Sequence, residues 1–153
     1  MTQHMSGPSD LSGQVAFITG GAGGMGRAIS AAFAAAGAKV IATDRAAKED
    51  LGAGIEYLRY DVTSRAETDA VMDAVIAKHG EIDILVLCAG IIARTPLGDS
   101  TDDEWDAIMN VNVRGVVNPT RKLFPLMCQQ GFGKILAAGS IAAKNGGVAS
   151  GPA

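Results

Sequence analysis

The chain has 153 residues, 48% of them hydrophobic and 19% charged, and a net charge of −3. That is enough for one domain around one core, and too apolar for a disordered chain. Lysine and arginine are scattered without a basic stripe, which argues against nucleic acid as a partner.

The opening segment MTQHMSGPSD is polar. It lacks the apolar stretch of a signal peptide and reads as a flexible tail over residues 1–10, with one domain over residues 11–153. Residues 14–19 (QVAFIT) are a short apolar run that stops at glycine, the pattern of a buried strand. A helix follows, with Ile29, Ala32, Phe33 and Ala36 on one stripe and Gly37 as its stop. Residues 38–43 (AKVIAT) form a second strand leading to Asp44, and residues 55–60 (IEYLRY) a third. Ser64 and Glu67 make a capping box for a helix whose apolar stripe runs through Thr68, Val71, Met72, Val75, Ile76 and His79. Residues 82–88 (IDILVLC) form a fourth strand, apolar enough to be buried on both faces. The run as far as Ile92 is too short to cross a bilayer, so no membrane contact is expected and the chain reads as cytoplasmic.

Thr101 and Glu104 form a second capping box, opening a helix with Trp105, Ile108 and Met109. A further helix covers roughly residues 115–130, where Pro125 is expected to kink or divide it. Residues 134–138 (KILAA) give a fifth strand. Apolar strands alternating with helices imply a parallel sheet covered on both sides. Cys88 and Cys128 match no zinc or redox spacing, so both are expected as reduced thiols in or near the core, and no metal site is expected. His79 falls at a helix end, where a cation is welcome.

The segment from Thr19 to Gly26 (TGGAGGMG) joins the first strand to the first helix. Gly20 lets the chain turn sharply off the strand. Gly24 leaves room for a pyrophosphate beside the backbone. Gly26 lets the helix pack close to the sheet. The N–H groups at the helix start, including that of Met25, then face the phosphates. The context of strand, glycine turn, helix, strand and acid is the one expected of a dinucleotide site. Asp44 is placed to accept hydrogen bonds from adenosine ribose hydroxyls and to repel a 2′-phosphate, which favours NAD over NADP. Arg45 beside it is able to hold a phosphate and pulls the other way.

The spacing T-G-x-x-x-G-x-G resembles that of the short-chain dehydrogenase/reductase family, and later segments agree in order. Asp61-Val62 is similar to the family's adenine-contacting pair. Leu87-Cys88-Ala89-Gly90 stands where the family has Asn-Asn-Ala-Gly. Asn112, within N-V-N-V-R-G, matches the catalytic asparagine. Gly139-Ser140 matches the segment whose second serine is catalytic. The resemblance implies a Rossmann-type α/β fold, a doubly wound parallel sheet of order 3-2-1-4-5 in three layers, truncated after its fifth strand. It implies cofactor contacts at Gly20, Gly24, Met25, Gly26, Asp44, Arg45, Asp61, Val62, Cys88, Ala89 and Gly90.

The implied chemistry is hydride transfer between NAD(H) and a secondary alcohol or ketone. Ser140 would bond the substrate oxygen. Asn112 would hold a water in a proton relay and fix the helix around it. The family's Tyr-x-x-x-Lys is expected at or just past Ala153. Tyr57 and Tyr60 precede the site-building motifs, and Lys144 precedes the expected tyrosine. The expectation is therefore an oxidoreductase parent, with little or no activity in this chain alone. The fifth strand is expected to present an unpaired edge, and the helices within residues 101–130 to support a homodimer or homotetramer. Two alternatives stand beside this: an NADP-dependent 3-oxoacyl-thioester reductase, and a non-catalytic dinucleotide-binding fragment.

Overall fold

The structure, a computed structural model, describes residues 10–47 and 50–145. Of the tail read over residues 1–10, only Asp10 is among them, and the last part of the 11–153 domain, residues 146–153, also lies outside the described residues.

The five apolar runs form β1 (Val15–Thr19), β2 (Lys39–Asp44), β3 (Ile55–Arg59), β4 (Ile84–Leu87) and β5 (Lys134–Ala137). They pair in parallel in the order β3-β2-β1-β4-β5, as the resemblance implied. The helices are α1 (Gly24–Ala35), α2 (Arg65–His79), α3 (Asp102–Met109), α4 (Gly115–Gln130) and the short α5 (Ala142–Asn145).

Strand side chains alternate between the faces of the sheet, and each face has its own core. Phe17 sits in register with Ile41 and Leu85, and all three pack with Met72 and Val75 of α2 and Leu123 and Met127 of α4. Ala16, Ile18, Val40, Ile84 and Val86 pack on the other face with Ile29 and Phe33 of α1. The layers are thus α1, sheet, and α2 with α4. Buried Asp83 fastens the base of the sheet, its Oδ2 accepting the Val15 N–H at 2.8 Å.

Several local expectations are corrected. On α1, Ala32 is exposed, while Gly26 and Ser30 face the sheet. The close approach at Gly26 sets the helix rotation, which shifts the buried face away from Ala32. At Ser64 only half of the capping box forms. Ser64 Oγ accepts the Glu67 N–H at 3.2 Å, but Glu67 Oε2 turns to the Asp61 N–H at 3.0 Å. The box at Thr101 and Glu104 is complete. Pro125 does not divide α4, which runs unbroken through Pro119 and Pro125. Leu123 and Met127 are buried on either side of Pro125 and pack this part of α4 against the core. Cys128 is exposed on the outer side of α4 rather than near the core, and Cys88 is half-buried.

β5 pairs with β4 only and is exposed along its length, Ile135 at 36% and Leu136 at 46%. The expected unpaired edge is present among the described residues.

Candidate functional site

A cleft of about 450 Å³ opens at the C-terminal ends of the strands. It lies where the strand order reverses, with β2 on one side of β1 and β4 on the other, the place where open parallel sheets bind ligands. Its size suits a small-molecule ligand. Five segments build it: the β1–α1 turn, the end of β2, the loop after β3, the loop after β4, and the end of α3 with the turn that follows.

The β1–α1 turn is set by contacts that only glycine allows. Gly20 has φ +69°, and a Cβ there would lie 2.7 Å from the Ala89 nitrogen. Gly21 sits against β2, where a Cβ would come within 2.7 Å of the Ala42 Cβ. At Gly26 a Cβ would collide with the Gly20 carbonyl. Gly24 differs, because nothing within 4 Å would meet a Cβ there. Its openness faces solvent, so the missing side chain leaves room for a ligand. Gly23 precedes α1 and offers no side-chain cap. The N–H groups at the start of α1 thus meet no capping side chain, which suits an anion. Met25 is exposed beside them.

Asp44 and Arg45 line the cleft at the end of β2. The Asp44 carboxylate accepts the Ala22 N–H at 3.2 Å and the Ala46 N–H at 3.3 Å. It holds the glycine turn while facing the cleft. After β3, the Asp61 Oδ1 accepts the Thr63 N–H at 2.9 Å and the Thr63 hydroxyl at 2.8 Å, which curls the loop so that Tyr60 to Thr63 form one wall. Tyr60 is no acid or base at neutral pH. Its hydroxyl lies 2.8 Å from Thr68 Oγ1, and burial pushes its pKa up to about 12.

Cys88, Ala89 and Gly90 line the cleft after β4. Buried Thr19, at the end of β1, accepts the N–H groups of Cys88 at 3.2 Å and Ala89 at 3.3 Å through its hydroxyl. Burial pushes the Cys88 thiol up, which keeps it protonated and weakly nucleophilic.

Asn112 lies in a π-helical turn, Asn110–Arg114, between α3 and α4. Such turns are frequent at functional sites. The Asn112 amide bonds the Ile91 backbone twice: Oδ1 accepts its N–H at 2.8 Å, and Nδ2 donates to its carbonyl at 2.9 Å. Asn112 therefore fixes the loop after β4 against the helix. Ser140 is exposed after β5, and its Oγ accepts the Ala142 N–H at 3.1 Å at the start of α5. Of the residues read as site residues, Gly20, Asp44, Arg45, Asp61, Val62, Cys88, Ala89 and Gly90 line the cleft. Gly24, Met25, Gly26, Asn112 and Ser140 do not.

The family model described as short chain dehydrogenase matches residues 14–152. The chain belongs to the short-chain dehydrogenase family. It is 36% identical to the 3-oxoacyl-[acyl-carrier-protein] reductase FabG of Thermotoga maritima, over 86% of this chain and 57% of that protein. It is 35% identical to the FabG of Escherichia coli, over 92% of this chain and 61% of the other. To 3beta-hydroxysteroid dehydrogenase 2 of Eggerthella lenta the identity is 34%, over 82% and 52%. The crystal structure of gox2181 superposes with a TM-score of 0.82 at 30% identity, covering 89% of this chain and 57% of that one. The chain thus spans a little over half the length of these relatives.

As a short-chain dehydrogenase, the chain departs from the family's Asn-Asn-Ala-Gly at Leu87 and Cys88, and Thr19 supplies a brace there from the neighbouring strand. Sequence reasoning missed Thr19, Gly23 and Glu67 as builders of the cleft. Gly23 was legible in the glycine run itself. The other two act through backbone partners that only the fold brings close.

Proposed function

We propose that this chain carries the cofactor half of an oxidoreductase that transfers hydride between NAD(H) and a secondary alcohol or ketone. The observation that carries the reading is the cleft at the strand ends, with a bare helix start on one side and Asp44 on the other. The residues present fit a dinucleotide. Gly24 leaves open space beside uncapped N–H groups for a pyrophosphate. Asp44, which lines the cleft, would face the adenosine ribose, and Asp61 and Val62 would wall the adenine. When bound, the nicotinamide supplies or accepts the hydride. Cys88, Ala89 and Gly90, which line the cleft, would give it a backbone-lined floor. Ser140 is the proposed donor to the substrate oxygen. Asn112 is a positioning residue, acting through the Ile91 backbone it holds.

Asp44 repels a 2′-phosphate, so NADH is expected to bind at least about tenfold more tightly than NADPH. Titration of the purified protein with each cofactor measures this, and Asp44→Ala is expected to shrink the gap. Tighter binding of NADPH would overturn the NAD assignment. It would favour the second reading, an NADP-dependent 3-oxoacyl-thioester reductase, which the FabG likeness and Arg45 support.

The proposed partners are a small alcohol or ketone and further copies of the chain. Trp105, Met109, Val113, Val117 and Phe124 are exposed along α3, the π-helical turn and α4, an apolar stripe suited to a homodimer or homotetramer. Among the described residues no helix is long and apolar enough to cross a membrane. A cytoplasmic location is part of the proposal.

A further inference from the structure

The loop after β3 receives a clamp from α4, which packs on the same face of the sheet. Asn118 lies on α4, is 6% exposed, and is distant in sequence from this loop. Its Nδ2 donates to the Val62 carbonyl at 3.0 Å and the Thr63 carbonyl at 3.3 Å. One turn earlier, Gly115 permits the approach, since a Cβ there would lie 2.6 Å from Val62 Cγ2. Val62 and Thr63 form the wall of the cleft.

At the start of the loop the Tyr60 N–H donates to the Asp44 carbonyl at 2.8 Å, and Val62 packs into the core. The hydrogen bonds to Asp61 and Thr63 are local: Asp61 binds Thr63, and Glu67 binds the Asp61 N–H. They fix the curl of the loop. Among the described residues, Asn118 is the side chain of another helix whose hydrogen bonds hold the Val62 and Thr63 carbonyls. A buried amide donating to two adjacent carbonyls matters because buried carbonyls left without a donor are costly.

We propose that Asn118 is a positioning residue for dinucleotide affinity, setting the adenine-side wall through the Val62 and Thr63 carbonyls. This rests on the dinucleotide reading of the cleft. It concerns the adenine end alone. Loss of Asn118 should therefore weaken NADH and ADP-ribose, which lacks the nicotinamide, by the same factor.

The test compares NADH and ADP-ribose binding by calorimetry in the native protein, Asn118→Leu and Asn118→Asp. Loss of two hydrogen bonds predicts about tenfold weaker binding of both ligands. The Asp variant keeps the shape but, when ionised, aims oxygens at oxygens. Protonated, it regains one donor. Its deficit relative to the native protein at each pH is therefore expected to narrow from pH 8 to pH 5.5, while the Leu deficit stays constant. Taking the ratio cancels titration of Asp61 and Glu67, the loop's own carboxylates. If the Leu variant does not fold, the isosteric Asp variant carries the test. Native affinity in the Asp variant at pH 8, or a loss confined to NADH, overturns the role of Asn118. Failure of the native protein to bind ADP-ribose and NADH overturns the dinucleotide reading itself, and the inference with it.

Discussion

Gly20→Ala tests the tightest contact behind the cleft. Two costs add. An L-residue at φ +69° costs about 1–2 kcal/mol in the left-handed region. The new Cβ would also lie 2.7 Å from the Ala89 nitrogen and 2.9 Å from the Cys88 carbonyl carbon. Those are backbone atoms of β4's end and cannot rotate away, so relief requires the β1 and β4 ends to separate, an overpacking cost of about 1–3 kcal/mol. A less flexible unfolded chain offsets about 0.4–1 kcal/mol. The net loss is about 1–4.6 kcal/mol. For a chain of this size that lowers Tm by about 2–18 °C. Separation would also stretch the Thr19 bonds to Cys88 and Ala89, so dinucleotide binding should fall with stability. Gly24→Ala is the internal control. With nothing within 4 Å of its Cβ, it should leave Tm unchanged or slightly higher and still weaken NADH by about tenfold or more. Thermal melts and NADH titrations of both variants decide. A Gly20→Ala loss below about 1 kcal/mol, or unchanged NADH affinity in Gly24→Ala, would refute the reasoning.

Thr19→Val keeps the shape but strands two N–H groups, and should cost about 1–3 kcal/mol in a urea titration. Tyr60 has a pKa of about 12 when folded against 10.0 when exposed, so its contribution is complete below pH 10 and is lost as pH rises through 12. Alkaline melts should show a fall in that window that Tyr60→Phe removes, on the order of 2 kcal/mol. The hydrogen bond from Lys78 holds Glu56 below its ordinary 4.5, so its stabilisation is present above pH 4.5 and fades as pH falls below it. Glu56→Gln should flatten the acid limb by no more than about 0.5 kcal/mol, since the pair is exposed. Val117→Lys should shift the protein to a smaller species in light scattering if the α3–α4 stripe joins copies; an unchanged mass would remove that face from consideration.

The sequence by itself determined the parallel sheet, its helices and most of the cleft. Those features rest on local signals. An apolar run bounded by glycine marks each buried strand, and the glycines at 20, 24 and 26 mark a turn that side chains would fill. Asp44 followed because it stands at a strand end, a position that chain order alone reveals, and Asp61 followed from the family resemblance.

The tertiary structure decided how those pieces are held. Thr19 reaches across to Cys88 and Ala89, Asn112 grips Ile91, and Asn118 grips Val62 and Thr63. Each is a side chain bonded to distant backbone, and backbone groups look the same at every position of a sequence. Rotation of α1 was likewise invisible, because periodicity gives a stripe and the close contact at Gly26 chooses which part of it faces the sheet. Pro125 failed as a breaker for the same reason, since the burial of Leu123 and Met127 outweighs one missing hydrogen bond.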